Sequence, residues 1–145
     1  MGMIDSNAKL ATAQVVTATG DTPGTNIYDC GSAHNASLGL SDELWIQAIV
    51  DTKATSGGAA TVQAVLQHSD DGSTWKDLLS GPQVPVAQMT AGAPLLQSRF
   101  PLGLKRYFRI AWRVGTAALT AGKFTAFVAA GVQNNIAYPS GFSVK

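Results

Sequence analysis

Between Glu43 and Asp51 the chain reads ELWIQAIVD. Leu44, Ile46, Ala48 and Val50 fall on one side of a two-residue period, and Glu43, Trp45, Gln47, Ile49 and Asp51 on the other. Side chains alternate between opposite faces in an extended strand and not in a helix, so this run is a strand. The same period returns in TVQAVLQHS (61–69), where Val62, Ala64 and Leu66 alternate with Gln63 and Gln67. It returns again in KRYFRIAWRV (105–114), with Phe108, Ile110, Trp112 and Val114 opposed to Tyr107, Arg109 and Arg113, and KFTAFVAAGVQ (123–133) is a further long strand. Several strands that each carry one apolar face must bury those faces against a second sheet.

Composition points the same way. Glu43 is the only glutamate, and 13% of residues are charged, where ordinary soluble domains carry about 25%. Small and β-branched residues take the place of helix-favouring charged ones. Shorter strand-like runs are AQVVTA (13–18), closed by Gly20, Pro23 and Gly24, then TNIYDCG (25–31) and QVPVAQM (83–89), the last confined to a sheet edge by Pro82 and Pro85. Stretches 32–42, 52–60 and 115–122 read as loops. The expectation is an all-β, antiparallel jelly roll or β-sandwich of about eight strands, with no defensible helix and no internal repeat. Residues 1–12 read as an N-terminal arm, 13–133 as one domain and 134–145 as a C-terminal tail.

The most pointed local signal is HSDDGSTWKDLL (68–79). An EF-hand calcium loop needs oxygen ligands at alternate positions and a glutamate at its twelfth residue, but Asp70 and Asp71 are adjacent and Gly81 stands where the glutamate would be. Asp-Gly with a second aspartate upstream is instead a hairpin turn, and Trp75 would start the return strand. Ser73–Lys76 fits the S-x-x-K pattern of penicillin-interacting enzymes, without the S-D-N and K-T-G partners that chemistry requires.

Little else in the sequence suggests catalysis. Cys30, His34 and His68 show no metal-ligand spacing, no nucleophile elbow or phosphate-binding loop occurs, and the lone glutamate argues against paired-carboxylate work. No enzyme activity, cofactor or metal is expected. The net charge of +1 supplies no field for nucleic acid. The basic-aromatic strand 99–114 could contact single strands, but alternation turns Phe108 and Trp112 inward and leaves Tyr107 as the ring beside the arginines, so no nucleic-acid partner is expected. The start MGMIDSNAKLATAQ lacks a basic segment followed by an apolar one, and no apolar run reaches membrane-spanning length, so a soluble cytoplasmic product without membrane attachment is expected. MGMIDS formally matches a myristoylation pattern, and an original start at Met3 explains it as well. The sequon at Asn35 has no secretory route.

What remains is an argument about surface. The chain is 46% hydrophobic with mean hydropathy +0.11, and strand 43–51 carries Trp45 and Ile49 on the face that a lone sandwich would show to water. Apolar groups there indicate contact with another subunit. A carbohydrate-binding sandwich is the alternative, and it requires Trp45 or Trp75 open on a concave face.

Two blocks, DELWIQAIVDTKATSGGAATVQAVLQHSDDGSTW and PLGLKRYFRIAWRVGTAALTAGKFTAFV, resemble the small capsid cement, or decoration, proteins of tailed bacteriophages, of the type seen in Bordetella phages. The likeness runs from about residue 42 to 133, marked by the turn Ser69–Trp75, the block Pro101–Arg106 and the stretch Gly115–Phe127; none of these is catalytic. The resemblance implies a jelly-roll subunit, a homotrimer, and a seat on the outer capsid surface of the virion, where it cements neighbouring copies of the major capsid protein. On the residues themselves, Trp45, Ile49, Tyr107, Arg109 and Arg113 are expected at subunit contacts, and the arm with Ile4 and Leu10 is expected to touch the shell.

Overall fold

The structure, a computed structural model, describes residues 8–31 and 44–130. Ten strands follow one another along the chain: β1 (Lys9–Val15), β2 (Gly20–Pro23), β3 (Tyr28–Asp29), β4 (Leu44–Ser56), β5 (Thr61–Ser69), β6 (Lys76–Ser80), β7 (Val84–Pro85), β8 (Pro94–Arg99), β9 (Tyr107–Gly115) and β10 (Leu119–Ala130). Eight of them form an antiparallel ribbon in which β1 pairs with β10, β2 with β9, β4 with β8 and β5 with β6. Winding that ribbon distributes its rungs between two sheets, ordered β1-β10-β4-β8 and β2-β9-β5-β6. This is the jelly-roll topology. The two-residue strands β3 and β7 extend the second sheet by pairing with β9 and β5, which makes it six-stranded.

The core lies between the sheets and follows the alternation. Ile46, Ala48 and Val50 of β4 face Val62, Ala64 and Leu66 of β5 and Phe108, Ile110, Trp112 and Val114 of β9, all buried. Trp112 and Phe124 meet across the layers with ring centroids 5.2 Å apart. The Trp112 indole N–H donates to Gln14 Oε1 at 3.0 Å, and Gln14 Nε2 donates to the Pro23 carbonyl at 2.9 Å. One side chain of β1 therefore satisfies the buried indole and ties the four-stranded sheet to an edge of the six-stranded one. At the far end Phe108 stacks on Tyr28 and meets Phe100 edge-on, at 4.9 and 5.3 Å.

Four expectations are corrected. Leu10 is a core residue, 1% exposed, so its side chain cannot touch a shell and residues 9–12 belong to the sandwich. Alternation hides this because β1 changes register twice against β10, between Lys9 and Ala11 and again between Ala11 and Gln14, where Ala13 takes φ 45°, and so Leu10 and Ala11 are both buried. Gly20–Pro23 is an edge strand and not the end of one; the chain beyond it passes so close to β9 that a Cβ on Gly24 would lie 2.6 Å from Ile110 Cγ2. The loop expected at 52–60 is strand to Ser56, and that at 115–122 resumes as strand at Leu119; bulges in the β4–β10 ladder break the period there. Of 83–89 only Val84–Pro85 pairs, before a 3₁₀ turn. Ile4, His34 and the tail 134–145 lie outside the described residues.

Trp112→Ala is expected to lower the unfolding free energy by roughly 3–5 kcal/mol, and Gln14→Ala by about 1 kcal/mol through the lost hydrogen bond. Urea unfolding reads both, and equal costs would refute the central place given to the indole.

Candidate functional site

The outer face of the six-stranded sheet gathers most of the polar interactions that join distant parts of the chain. Alternation along β9 sends Tyr107, Arg109 and Arg113 outward while Phe108 and Trp112 fill the core. The pairing places Gln67 beside Arg109, Gln63 beside Arg113 and Val65 beside Ala111. On the other side of β5, Asp77 of β6 stands opposite Gln67. On the other side of β9, Asp21 of β2 stands opposite Arg113.

From this register a continuous network follows. Arg113 donates to both Asp21 oxygens at 2.7 Å and to Asp77 Oδ2 at 2.9 Å. Gln67 Nε2 donates to the other Asp77 oxygen at 2.9 Å, and its Oε1 accepts from Arg109 Nε at 3.0 Å. The Arg109 guanidinium carbon lies over the Trp75 ring, 4.1 Å from its centroid. Gln67, although on the outer face, is 6% exposed beneath this layer. The two carboxylates hold the Arg113 cation more firmly protonated than usual, chiefly through its hydrogen bonds to Asp21 and then that to Asp77. Burial pushes Arg109 the other way, with Asp21 opposing. A third arginine, Arg106, forms a two-pronged pair with Asp29 at 2.8 and 3.0 Å and covers the Tyr107 ring at 4.8 Å. That pair, led by the Arg106 hydrogen bond and then the Gly31 amide, holds the Asp29 carboxyl down at about 2.

The turn at 69–75 closes one end of this face. Asp71 Oδ1 accepts from the Ser73 and Thr74 amides at 2.9 and 2.8 Å and from the Ser69 hydroxyl at 2.8 Å, which holds its carboxyl well below the ordinary range. Gly72, at φ 76°, takes the left-handed conformation, and a Cβ there would meet the Tyr107 ring at 3.7 Å. Beside the turn, Asp70, Asp71, Thr74, Lys76 and Lys105 line a surface cleft of about 160 Å³, bridged by the Lys105–Asp70 ion pair. With Asp71 engaged by the turn and Asp70 by Lys105, the cleft is largely satisfied internally.

His68 ends the inner row of β5 and is nearly buried. Burial, and next the Lys105 charge, lower its pKa below the ordinary histidine value; Asp70 opposes this and Lys76 adds to it. Its Nδ1 is buried without a hydrogen-bond partner, so a proton added there meets no acceptor.

Across the molecule, the outer face of the four-stranded sheet carries an apolar patch among polar neighbours. Trp45, Gln47 and Ile49 stand opposite Ala129, Phe127 and Thr125 of β10. Phe127 and Ala129 are buried although they point away from the inter-sheet core. Arg99 of β8, opposite Trp45, covers its ring at 5.5 Å.

Five of the residues singled out in the sequence thus divide between two outer faces: Tyr107, Arg109 and Arg113 on one, Trp45 and Ile49 on the other. Gln67, Asp77 and Asp21 were missed. Trp75 was expected to start the return strand or, in the alternative, to stand open for a sugar, and the Gln67–Arg109 and Asp21–Arg113 adjacencies exist only through strand register. Among the described residues, no three His, Cys, Asp or Glu side chains are arranged to hold a metal ion.

The sequence matches the Bbp16 family over residues 10–128. The chain belongs to the Bbp16 family. This is a family of Bordetella-phage proteins. The match begins at Leu10 within β1 and ends at Val128 within β10, so it reaches every strand of the fold. No curated protein matches the chain.

The site predicts a pH dependence. A histidine whose pKa is lowered on folding favours the native state while it stays neutral, so its contribution is complete above about pH 6.5 and is lost as pH falls through the lowered native value. Thermal melts of the wild type should therefore decline between about pH 7 and pH 5, before carboxylates titrate. In His68→Leu that decline should vanish, and an unchanged slope would remove His68 as its source.

Proposed function

We propose that this protein is a non-enzymatic virion component that binds the outside of a phage capsid as a homotrimer and cements neighbouring major capsid proteins. The observation that carries this reading is the apolar patch on the outer face of the four-stranded sheet, where Trp45, Ile49 and Phe127 occupy positions that a solitary sandwich gives to polar groups. Membership of a phage protein family supports a structural role in the particle. The opposite face, with its fixed arginine and carboxylate network, supports the same reading, since charged groups already locked in place lose little conformational entropy on docking.

Trimerisation supplies the affinity. Three weak contacts borne by one rigid body exceed a single contact by about 10²–10⁴ in binding strength. A threefold assembly also matches a threefold or quasi-threefold position on a shell. The carbohydrate-binding alternative has less support, because the stacking ring of Trp75 is already covered on one side by Arg109 and that of Trp45 by Arg99.

Light scattering after size exclusion is expected to give a mass three times 15.0 kDa that persists on dilution. The purified trimer should then co-sediment with shells of the phage that encodes it. A monomer that leaves shells bare would contradict the reading.

A further inference from the structure

Among the described residues, Arg109 and Asp51 stand outside the ion pairs that join the strands. Arg113 is neutralised by Asp21 and Asp77, and Arg106 by Asp29. Arg109 spends only its Nε, on Gln67, and rests on Trp75, so among the described residues its terminal nitrogens meet no carboxylate. Six aspartates lie in the described residues. Asp21, Asp29 and Asp77 face arginines, Asp70 faces Lys105, and Asp71 caps its own turn. Asp51 alone has neither a cation nor an amide, accepting only the Thr52 hydroxyl at 3.4 Å.

The positions of these two groups matter as much as their vacancy. Asp51 continues the row of Trp45, Gln47 and Ile49, and a bulge opposite Lys123 and Phe124 leaves both it and Thr52 exposed. Arg109 is on the outer face of the other sheet. The body of the sandwich stands between them, so a single copy cannot join them.

We propose that Arg109, held over Trp75, receives the Asp51 carboxylate of a neighbouring copy, so that the outer face of one subunit's six-stranded sheet docks head to tail on the four-stranded sheet of the next. The inference rests on the trimer reading and deepens it by naming the two halves of the contact. A head-to-tail contact uses two different patches and closes into a ring when its rotation fits. Trp75 and Gln67 hold the guanidinium in place in advance and leave its terminal nitrogens for the two-pronged capture of a carboxylate. Ile49 and Trp45, on the same face as Asp51, supply the apolar surround that removes water from such a pair. The burial that disfavours the Arg109 cation in the isolated chain is offset once an anion arrives.

The test is a charge exchange read by native mass. Arg109→Glu and Asp51→Arg should each raise the trimer dissociation constant about tenfold or more, and the double variant should recover most of the loss. Asp51 is exposed, so its variant tests the contact even if Arg109→Glu folds poorly; far-UV circular dichroism checks both. If either folded single variant keeps wild-type mass through the dilution series, the proposal is overturned. If both dissociate and the double variant stays apart, Asp51 is not the group Arg109 receives, and the proposal is equally overturned. A wild-type monomer would instead overturn the trimer reading, before any variant is made.

Discussion

Trp112 is buried where β9 crosses behind β10, its ring against Phe124 and its indole N–H on Gln14. The two sheets of a jelly roll share few hydrogen bonds, so apolar burial between layers holds them together. An indole contributes more of that burial than any other side chain, provided that its N–H finds an acceptor. Gln14 is that acceptor, and its own amide reaches Pro23 at the edge of the other sheet. The packing of the layers and the closure of the β1–β2 corner are therefore one arrangement.

The same strand that fills the core builds the surface. Because β9 alternates, fixing Phe108, Ile110, Trp112 and Val114 inside fixes Arg109 and Arg113 outside, and the register with β2 and β5 then chooses their partners. A slip of one residue would exchange the two sets completely. Exposed ion pairs of this kind contribute little to stability, on the order of 0–1 kcal/mol each. Their effect is on geometry: Asp21 and Asp77 pin Arg113, while Gln67 and Trp75 orient Arg109 without neutralising it. Among the described residues Arg109 on this face meets no carboxylate, and the other outer face carries the apolar patch of Trp45, Ile49 and Phe127.

Much of this was legible in the sequence. The strands 43–51, 61–69 and 105–114 carry their burial in their period, and the Asp-Gly turn at 71–72 follows from the conformational freedom of glycine and the capping capacity of aspartate. Alternation fails where bulges interrupt it, which is why Leu10 looked like part of an arm and why β4 looked shorter than it is. Edge strands such as Gly20–Pro23 carry no apolar pattern at all, because half of their bonds and most of their surface face away from the core. For the candidate site, the outward direction of Arg109 and Arg113 could be read along one strand. Their partners could not, since Asp21, Gln67, Asp77 and Trp75 lie between 34 and 92 positions away and are brought together only by the winding of the ribbon.

A capsid role for this jelly roll is tested most directly by imaging shells of the encoding phage, with and without the purified protein, by cryo-electron microscopy. The account predicts added density on the outer surface, resolved as three jelly rolls around threefold or quasi-threefold axes, with each copy bridging two capsid proteins. Unchanged shells, or density confined to a tail or to the shell interior, would contradict it.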